Sequence, residues 1–321
     1  MIMESYSIGI DIGGTNTGFG LVDEKGNIIF NSSISTKSFD IVEDYLDEVI
    51  NQILLLTEKC DDKSKIRGIG IGAPNGNYYK GTIEHAPNLN FEGIIYVKDY
   101  LEEKLREKGY DLKVTLTNDA NAAAIGEMIY GGAKGMKNFI MITLGTGVGS
   151  GIVVDGKVVY GNDGFAGEVG HTIVQPEGRM CGCGRKGCVE AYSSATGLRK
   201  TALELLSNTK IDSSLREITQ ENIGGKAIYN AAINGDTLAL KCFEITAKML
   251  AIGMANAASV TSPEKIFLFG GLIKSGDLLM KPLKKYFEES LFVVFQNKID
   301  IEISHLDENT AAILGAAALT Y

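Results

Sequence analysis

One histidine and three cysteines stand near each other in this sequence: His171, then Cys181, Cys183 and Cys188 within "CGCGRKGC". An imidazole and three thiolates make a closed tetrahedral set for zinc. No position is left open for a metal-bound hydroxide, so the metal they suit is structural and not the catalyst. The loop that carries them, "PEGRMCGCGRKG", has few apolar residues with which to build a core, and metal binding would supply its folding energy. The chain has three histidines, and His85 and His305 lack such surroundings. The other two cysteines, Cys60 and Cys242, sit alone in helical patterns.

A second chemistry is written in two glycine-threonine turns. "DIGGTN" begins at Asp11, and "LGTGVGSGI" spans Gly145, Thr146 and Gly147. Each lies between runs that alternate as strands do. In such a turn, backbone N–H groups and a threonine hydroxyl approach phosphate oxygens closely, and Asp11 beside the first turn would hold a metal. Taken singly, each turn reads equally well as a tightened hairpin; their pairing favours phosphate. A dinucleotide fingerprint is excluded because "GTGVGS" leads from strand to strand with no helix after it. A Walker loop is excluded for want of Gly-Lys-Ser/Thr. The third chemical signal is Asp119 in "TNDANAAA", at a strand-to-helix junction. A carboxylate there either caps the helix or accepts a proton from a hydroxyl nucleophile.

These residues need elements to position them. Residues 6–35 read as an antiparallel meander of three strands. A helix is expected over 40–59, a buried strand at "IRGIGIGAP", a helix near 97–108, a strand at "LKVTLTND" and a helix through "DANAAAIGEMIYGG". The meander recurs at "NFIMITLGTGVGSGIVVDGKVVYG", which implies an internal duplication. A helix-rich stretch over about 190–260 follows, then the strand "KIFLFGG", a helix near 277–290, the strand "IDIEISHL" and a terminal helix. The fold class expected is α/β with two domains, 1–118 plus 305–321 and 119–304, the second carrying the zinc loop, with ligands bound in a cleft between them.

Composition narrows the function. At 321 residues, 45% hydrophobic and 22% charged, the chain has the makeup of a soluble globular protein. A net charge of −9 opposes a general affinity for nucleic acid or anionic membrane. The opening "MIMESYSIGI" lacks the features of a secretory signal and no apolar run reaches a bilayer span, so a cytoplasmic location is expected.

In the order of its motifs the chain resembles the ROK family of sugar kinases and sugar-responsive repressors, within the actin-like ATPase (ribonuclease H-like) superfamily. "DIGGTN" and "LGTGVGSGI" resemble that family's phosphate motifs, "TNDANAAA" its catalytic segment, "AGEVGH" its sugar motif, "CGCGRKGCVE" its zinc motif and "LFGGLIKSG" its adenosine-side turn. The resemblance implies an ATP-dependent kinase acting on the 6-hydroxyl of a hexose, with Asp119 as catalytic base. It implies sugar contacts from Asn75, Asn118, Asp119, Glu168, His171 and Glu190. Nucleotide contacts would come from Asp11, Gly13, Gly14, Thr15 and Asn16 in the first turn, Gly145, Thr146, Gly147 and Gly149 in the second, and Gly270 and Gly271 in the third. ATP, Mg2+ held by Asp11 through water, and structural Zn2+ on His171, Cys181, Cys183 and Cys188 are the implied cofactors; a homodimer is the implied assembly. Glucose is the sugar expected, with N-acetylmannosamine, N-acetylglucosamine or fructose as alternatives. A repressor is disfavoured because only ten residues precede Asp11. The chain departs from the family pattern at Asn75, at Phe91 and at Ser150, where glycine, tryptophan and glycine are common. The changes near Asn75 touch the sugar pocket and leave sugar identity, not reaction type, open.

Overall fold

The glycine-rich strands of the amino-terminal half are packed on two unlike faces. In the computed structural model, which describes residues 5–321, β1 (Tyr6–Ile12), β2 (Asn16–Asp23) and β3 (Ile28–Ser35) form the expected meander. Residues 1–4, at the start of the first expected domain, lie outside the described residues. After α1 (Val42–Glu58), the chain enters β4 (Ile66–Ala73), then β5 (Gly76–Asn77), β6 (Thr82–Glu84) and β7 (Ile94–Ile95), the short strands of a small separate sheet. The helix α2 (Val97–Glu107), the strand β8 (Val114–Asn118) and the helix α3 (Asp119–Ile129) complete this half. The main sheet has the order β3-β2-β1-β4-β8, antiparallel through the meander and parallel from β1 to β8. Ile8, Ile10, Ile69 and Ile71 alternate with glycines and are fully buried in a core shared with α1 and α2. A Cβ on Gly9 would come 2.2 Å from the Ile313 carbonyl oxygen, and one on Gly70 1.8 Å from that of Ala316. The opposite face therefore admits the terminal helix only because it is bare.

The order recurs in the second half. β9 (Phe139–Leu144), β10 (Val148–Val154) and β11 (Lys157–Val158) are followed by four helices, α4 (Glu190–Ser193), α5 (Ala195–Asn208), α6 (Gly225–Ile233) and α7 (Thr237–Thr261). Then come β12 (Lys265–Phe269), α8 (Asp277–Ser290), β13 (Asp300–Ile303) and α9 (Ala311–Ala317). The second sheet runs β11-β10-β9-β12-β13, the same 3-2-1-4-5 pattern as the first. The duplication read from the two meanders is thus also a duplication of strand order.

By contact density the chain forms two compact units, one of residues 1–137, 151–167 and 304–321, the other of 138–150 and 168–303. This grouping keeps 119–137 and 151–167 with the amino-terminal sheet, whereas the sequence reading assigns them to the second domain. The physical reason is close packing: α3 meets α9 where a Cβ on Gly126 would lie 2.8 Å from the Gly315 Cα, and Gly151 lies against Ala124 and the Ala120 carbonyl.

Candidate functional site

In the first unit, Asp11 sits near the end of β1, paired across the sheet with Gly18 on β2 and Gly72 on β4. Ala73, the next residue of β4, is in register with Asn118, the last residue of β8. Gly72 has no side chain to fill the gap: its Cβ would lie 3.7 Å from the Asp119 Cα and 3.2 Å from the Ala122 Cβ. The start of α3 is thereby brought down onto the strand that neighbours Asp11. Burial first, and the negative charge of Asp119 second, push the Asp11 carboxyl up from 3.8 to about 6.

The cap of α3 is Asn118, whose Oδ1 accepts from the Ala120 N–H at 2.9 Å. Its amide hydrogens remain as what it can offer a sugar. Asp119 stands one residue inside the helix, and its Oδ1 shares the same N–H at 2.7 Å. The surrounding protein raises the Asp119 pKa, against a lowering pull from the Ala120 and its own backbone N–H. The cause is desolvation by the chain packed around the carboxyl, although the residue as a whole keeps exposed surface at the start of α3. Two carboxylates of like charge, both with raised pKa, suit a cation and a transferable proton.

The first turn is closed by Gly13 N–H to the Asn16 carbonyl at 3.0 Å, with Thr15 and Asn16 exposed. A Cβ on Gly14 would lie 2.3 Å from the Asn88 carbonyl oxygen, so this glycine is required by packing as well. Asn75 adopts a left-handed conformation, φ 51°, and its side-chain nitrogen donates to the Glu84 and His85 carbonyls at 3.0 and 3.1 Å. Its nitrogen is committed to the loop, and its amide oxygen is the group a sugar could use. Next to it, the fully buried Asn77 donates to the Asp163 carbonyl at 2.8 Å and accepts from the Tyr79 and Lys80 N–H groups. Tyr78 stacks flat on Tyr160, ring centres 4.0 Å apart, while the Tyr79 hydroxyl donates to the Gly161 carbonyl at 2.8 Å. Phe91 is buried against Tyr45.

In the second unit, the turn between β9 and β10 leaves Gly145 and Thr146 exposed. Nothing lies within 4 Å of where a Gly145 Cβ would be. Packing does not require that glycine, which leaves close approach of a ligand as its use. Gly149 follows within β10. Gly270, φ 109°, would carry a Cβ 2.6 Å from the Leu144 carbonyl oxygen, so the Gly270–Gly271 turn lies directly beside the start of the Gly145 turn. A cavity of about 160 Å³ is lined by Thr146, Glu190, Lys200 and residues at the start of α5.

Ser150, on the same strand, accepts from the Val169 N–H at 2.9 Å. It thereby pins the short turn Val169–His171 that follows Glu168. This contact is a function of Ser150 that the sequence did not reveal; its signal was the departure from glycine.

His171 Nδ1 lies 3.7 Å from Cys181 Sγ, Cys183 Sγ lies 3.6 Å from Cys188 Sγ, and the four ligand atoms are all within 4.8 Å of one another. Tetrahedral zinc with bonds of about 2.3 Å to sulfur and about 2.0 Å to nitrogen separates sulfurs by about 3.8 Å and sulfur from nitrogen by about 3.6 Å. The donor set fits that ion. Burial pushes the Cys181 thiol up to about 12 and also raises Cys188. Burial would raise Cys183 too, but hydrogen bonds from the Arg185 backbone and side chain outweigh it and bring that thiol down to about 6. Arg179, which the motif reading passed over, ties the loop down: it stacks on Tyr192, pairs with Glu204 at 2.7 Å and donates to Thr201 at 2.8 Å.

The ROK family model matches residues 7–321. Over 322 aligned residues the chain is 35% identical to a glucokinase of Halalkalibacterium halodurans, covering 98% of this chain and 95% of that protein. It is 33% identical over 316 residues to a glucokinase of Thermotoga maritima, covering 97% and 96%. The crystal structure of a ROK family glucokinase from Streptomyces griseus in complex with glucose and AMPPNP superposes with a TM-score of 0.78 at 32% identity, covering 98% of this chain and 99% of that one.

Proposed function

Because the chain belongs to the ROK family, we propose that it is an ATP-dependent kinase that transfers phosphate to the 6-hydroxyl of glucose. Its similarity to glucokinases over nearly its whole length supports the reaction class and the sugar. The observation that carries the chemistry is the pair Asp11 and Asp119, two carboxylates of raised pKa at neighbouring ends of one sheet.

In this reading Asp119 orients the acceptor hydroxyl and takes its proton as the bond to phosphorus forms. A raised pKa suits a base that must hold that proton after transfer. Asn118 offers its amide hydrogens to a sugar oxygen. Phosphoryl transfer asks the protein mainly for positioning and charge neutralisation. Magnesium, when bound with ATP, supplies part of that neutralisation; Asp11 is the residue that would hold it through water. The turns Gly13–Asn16 and Gly145–Gly147, where Thr15, Asn16, Gly145 and Thr146 are exposed, would receive the nucleotide with Gly149, Gly270 and Gly271.

Zinc supplies fold, not chemistry. With Nδ1 turned to the cluster, His171 keeps Nε2 to donate to a sugar hydroxyl, and Glu168 and Glu190 supply acceptors. The Tyr78–Tyr160 stack and the Asn77 hydrogen bonds make the loop after β4 rigid and bulky. We extend the reading to a cytoplasmic homodimer acting on small molecules; among the described residues no helix is long and apolar enough to cross a membrane.

The test is a coupled ADP-release assay over glucose, fructose, N-acetylglucosamine and N-acetylmannosamine. Glucose should have the highest specificity constant by a wide margin, because a polar site that binds hydroxyls discriminates strongly against analogues that leave its groups unpaired. An N-acetylated sugar exceeding glucose by about tenfold or more would overturn the sugar assignment and leave the kinase standing.

A further inference from the structure

The second glycine turn makes little internal structure of its own. Its one backbone hydrogen bond between Gly145 and Gly147 runs from the Gly145 N–H to the Gly147 carbonyl at 3.1 Å. Two bonds from outside hold it, and both come from a segment that begins immediately after the last zinc ligand's neighbour, Val189. The Ala195 N–H donates to the Gly145 carbonyl at 2.9 Å. The Val148 N–H donates to Glu190 Oε2 at 3.0 Å.

The carboxylate is seated on the turn and not merely near it. A Cβ on Gly147 would lie 2.5 Å from Glu190 Oε2, so a side chain there would displace the carboxylate. This is a reason for glycine at 147 independent of any phosphate. The other oxygen, Oε1, faces Cys181, with Sγ 3.5 Å away. The base of this side chain is fixed by the loop: the Ala191 N–H donates to the Cys188 carbonyl at 3.1 Å, and the Ser194 hydroxyl donates to the Glu190 carbonyl at 2.8 Å.

We infer that Glu190 is a positioning residue for the phosphate turn: Oε2 fixes the Val148 N–H, and so the path of Gly145–Gly147, before any sugar arrives. The inference rests on the kinase reading of this site and adds to the sugar contact proposed there. It predicts that nucleotide affinity depends on Glu190 with no sugar present. A residue that served the sugar alone would leave that affinity untouched.

The experiment is titration of the zinc-loaded protein with AMPPNP and magnesium in the absence of sugar, with zinc content and melting temperature measured on each variant. Glu190→Ala removes the acceptor, and Glu190→Asp keeps the charge but draws it back by one methylene; both should weaken AMPPNP binding about tenfold, the loss of one charge-assisted hydrogen bond. Glu190→Gln keeps an oxygen that accepts from Val148 and should stay within about threefold of wild type. Wild-type affinity in the Asp and Ala variants overturns the inference, as does an equal loss in all three. Should the Ala variant fail to retain zinc, the Asp and Gln pair decides. If wild-type protein itself binds no AMPPNP, the kinase reading falls and takes this inference with it; weakened glucose binding with intact AMPPNP binding sinks the inference alone.

Discussion

Replacing Asp11 with asparagine should make the magnesium-free protein more stable while weakening its use of magnesium. The folded-state carboxyl titrates near 6, above its ordinary 3.8, because burial and Asp119 oppose its charge. A raised carboxyl pKa means that the folded chain binds the proton more tightly than the unfolded chain. This group's contribution is therefore fully present below about pH 4 and is lost as the pH rises through about 6. A shift of about two units at about 1.4 kcal/mol each places the full loss near 3 kcal/mol. About a third of it has already gone by about pH 4.5, so the remaining 2 kcal/mol or so disappears between about pH 4.5 and 7.5. Asparagine, similar in size and uncharged, does not titrate. Urea midpoints of the two proteins in magnesium-free buffer should diverge with rising pH, the variant ahead by more at about pH 7.5 than at about pH 4.5. Curves that run parallel across that range would refute the placing of Asp11. So would a variant whose activity depends on magnesium just as the wild type's does.

Asp119→Asn keeps size and hydrogen bonding but removes the base; turnover should fall at least about a hundredfold with sugar affinity little changed, and near-normal turnover in a folded variant would rule it out as the base. Elemental analysis should find one zinc per chain, bound by the cluster whose donor atoms lie within 4.8 Å of one another. Cys183→Ser should lose the metal together with several degrees of melting temperature, because a structural metal's binding energy is folding energy. A metal-free chain with an unaltered melting curve would contradict that role.

Where the sequence spoke plainly, a period or a spacing carried the message. The meanders were legible because each joins alternating strands by a glycine-threonine turn, and the cluster of His171 with three cysteines because those cysteines are local in the chain. The sheet of β5, β6 and β7 was not legible, since strands of two or three residues have no period to detect. Three contacts that shape the site were also hidden. Ser150 reaches Val169, Glu190 reaches Val148, and Gly72 makes room for α3, all across separations that only the folded chain closes. Gly14 and Gly147 illustrate the ambiguity best. Motif reading assigns both to phosphate, and packing against Asn88 and Glu190 would demand glycine at either position by itself.

The central claim is that this chain moves the γ-phosphate of ATP to the 6-hydroxyl of glucose. Phosphorus NMR of a reaction containing zinc-loaded protein, Mg-ATP and glucose reads it directly. The account predicts one ADP formed for each glucose 6-phosphate, with the Asp119→Asn protein nearly silent under the same conditions. Phosphate appearing on another hydroxyl, or ATP consumed to inorganic phosphate with glucose unchanged, would contradict it.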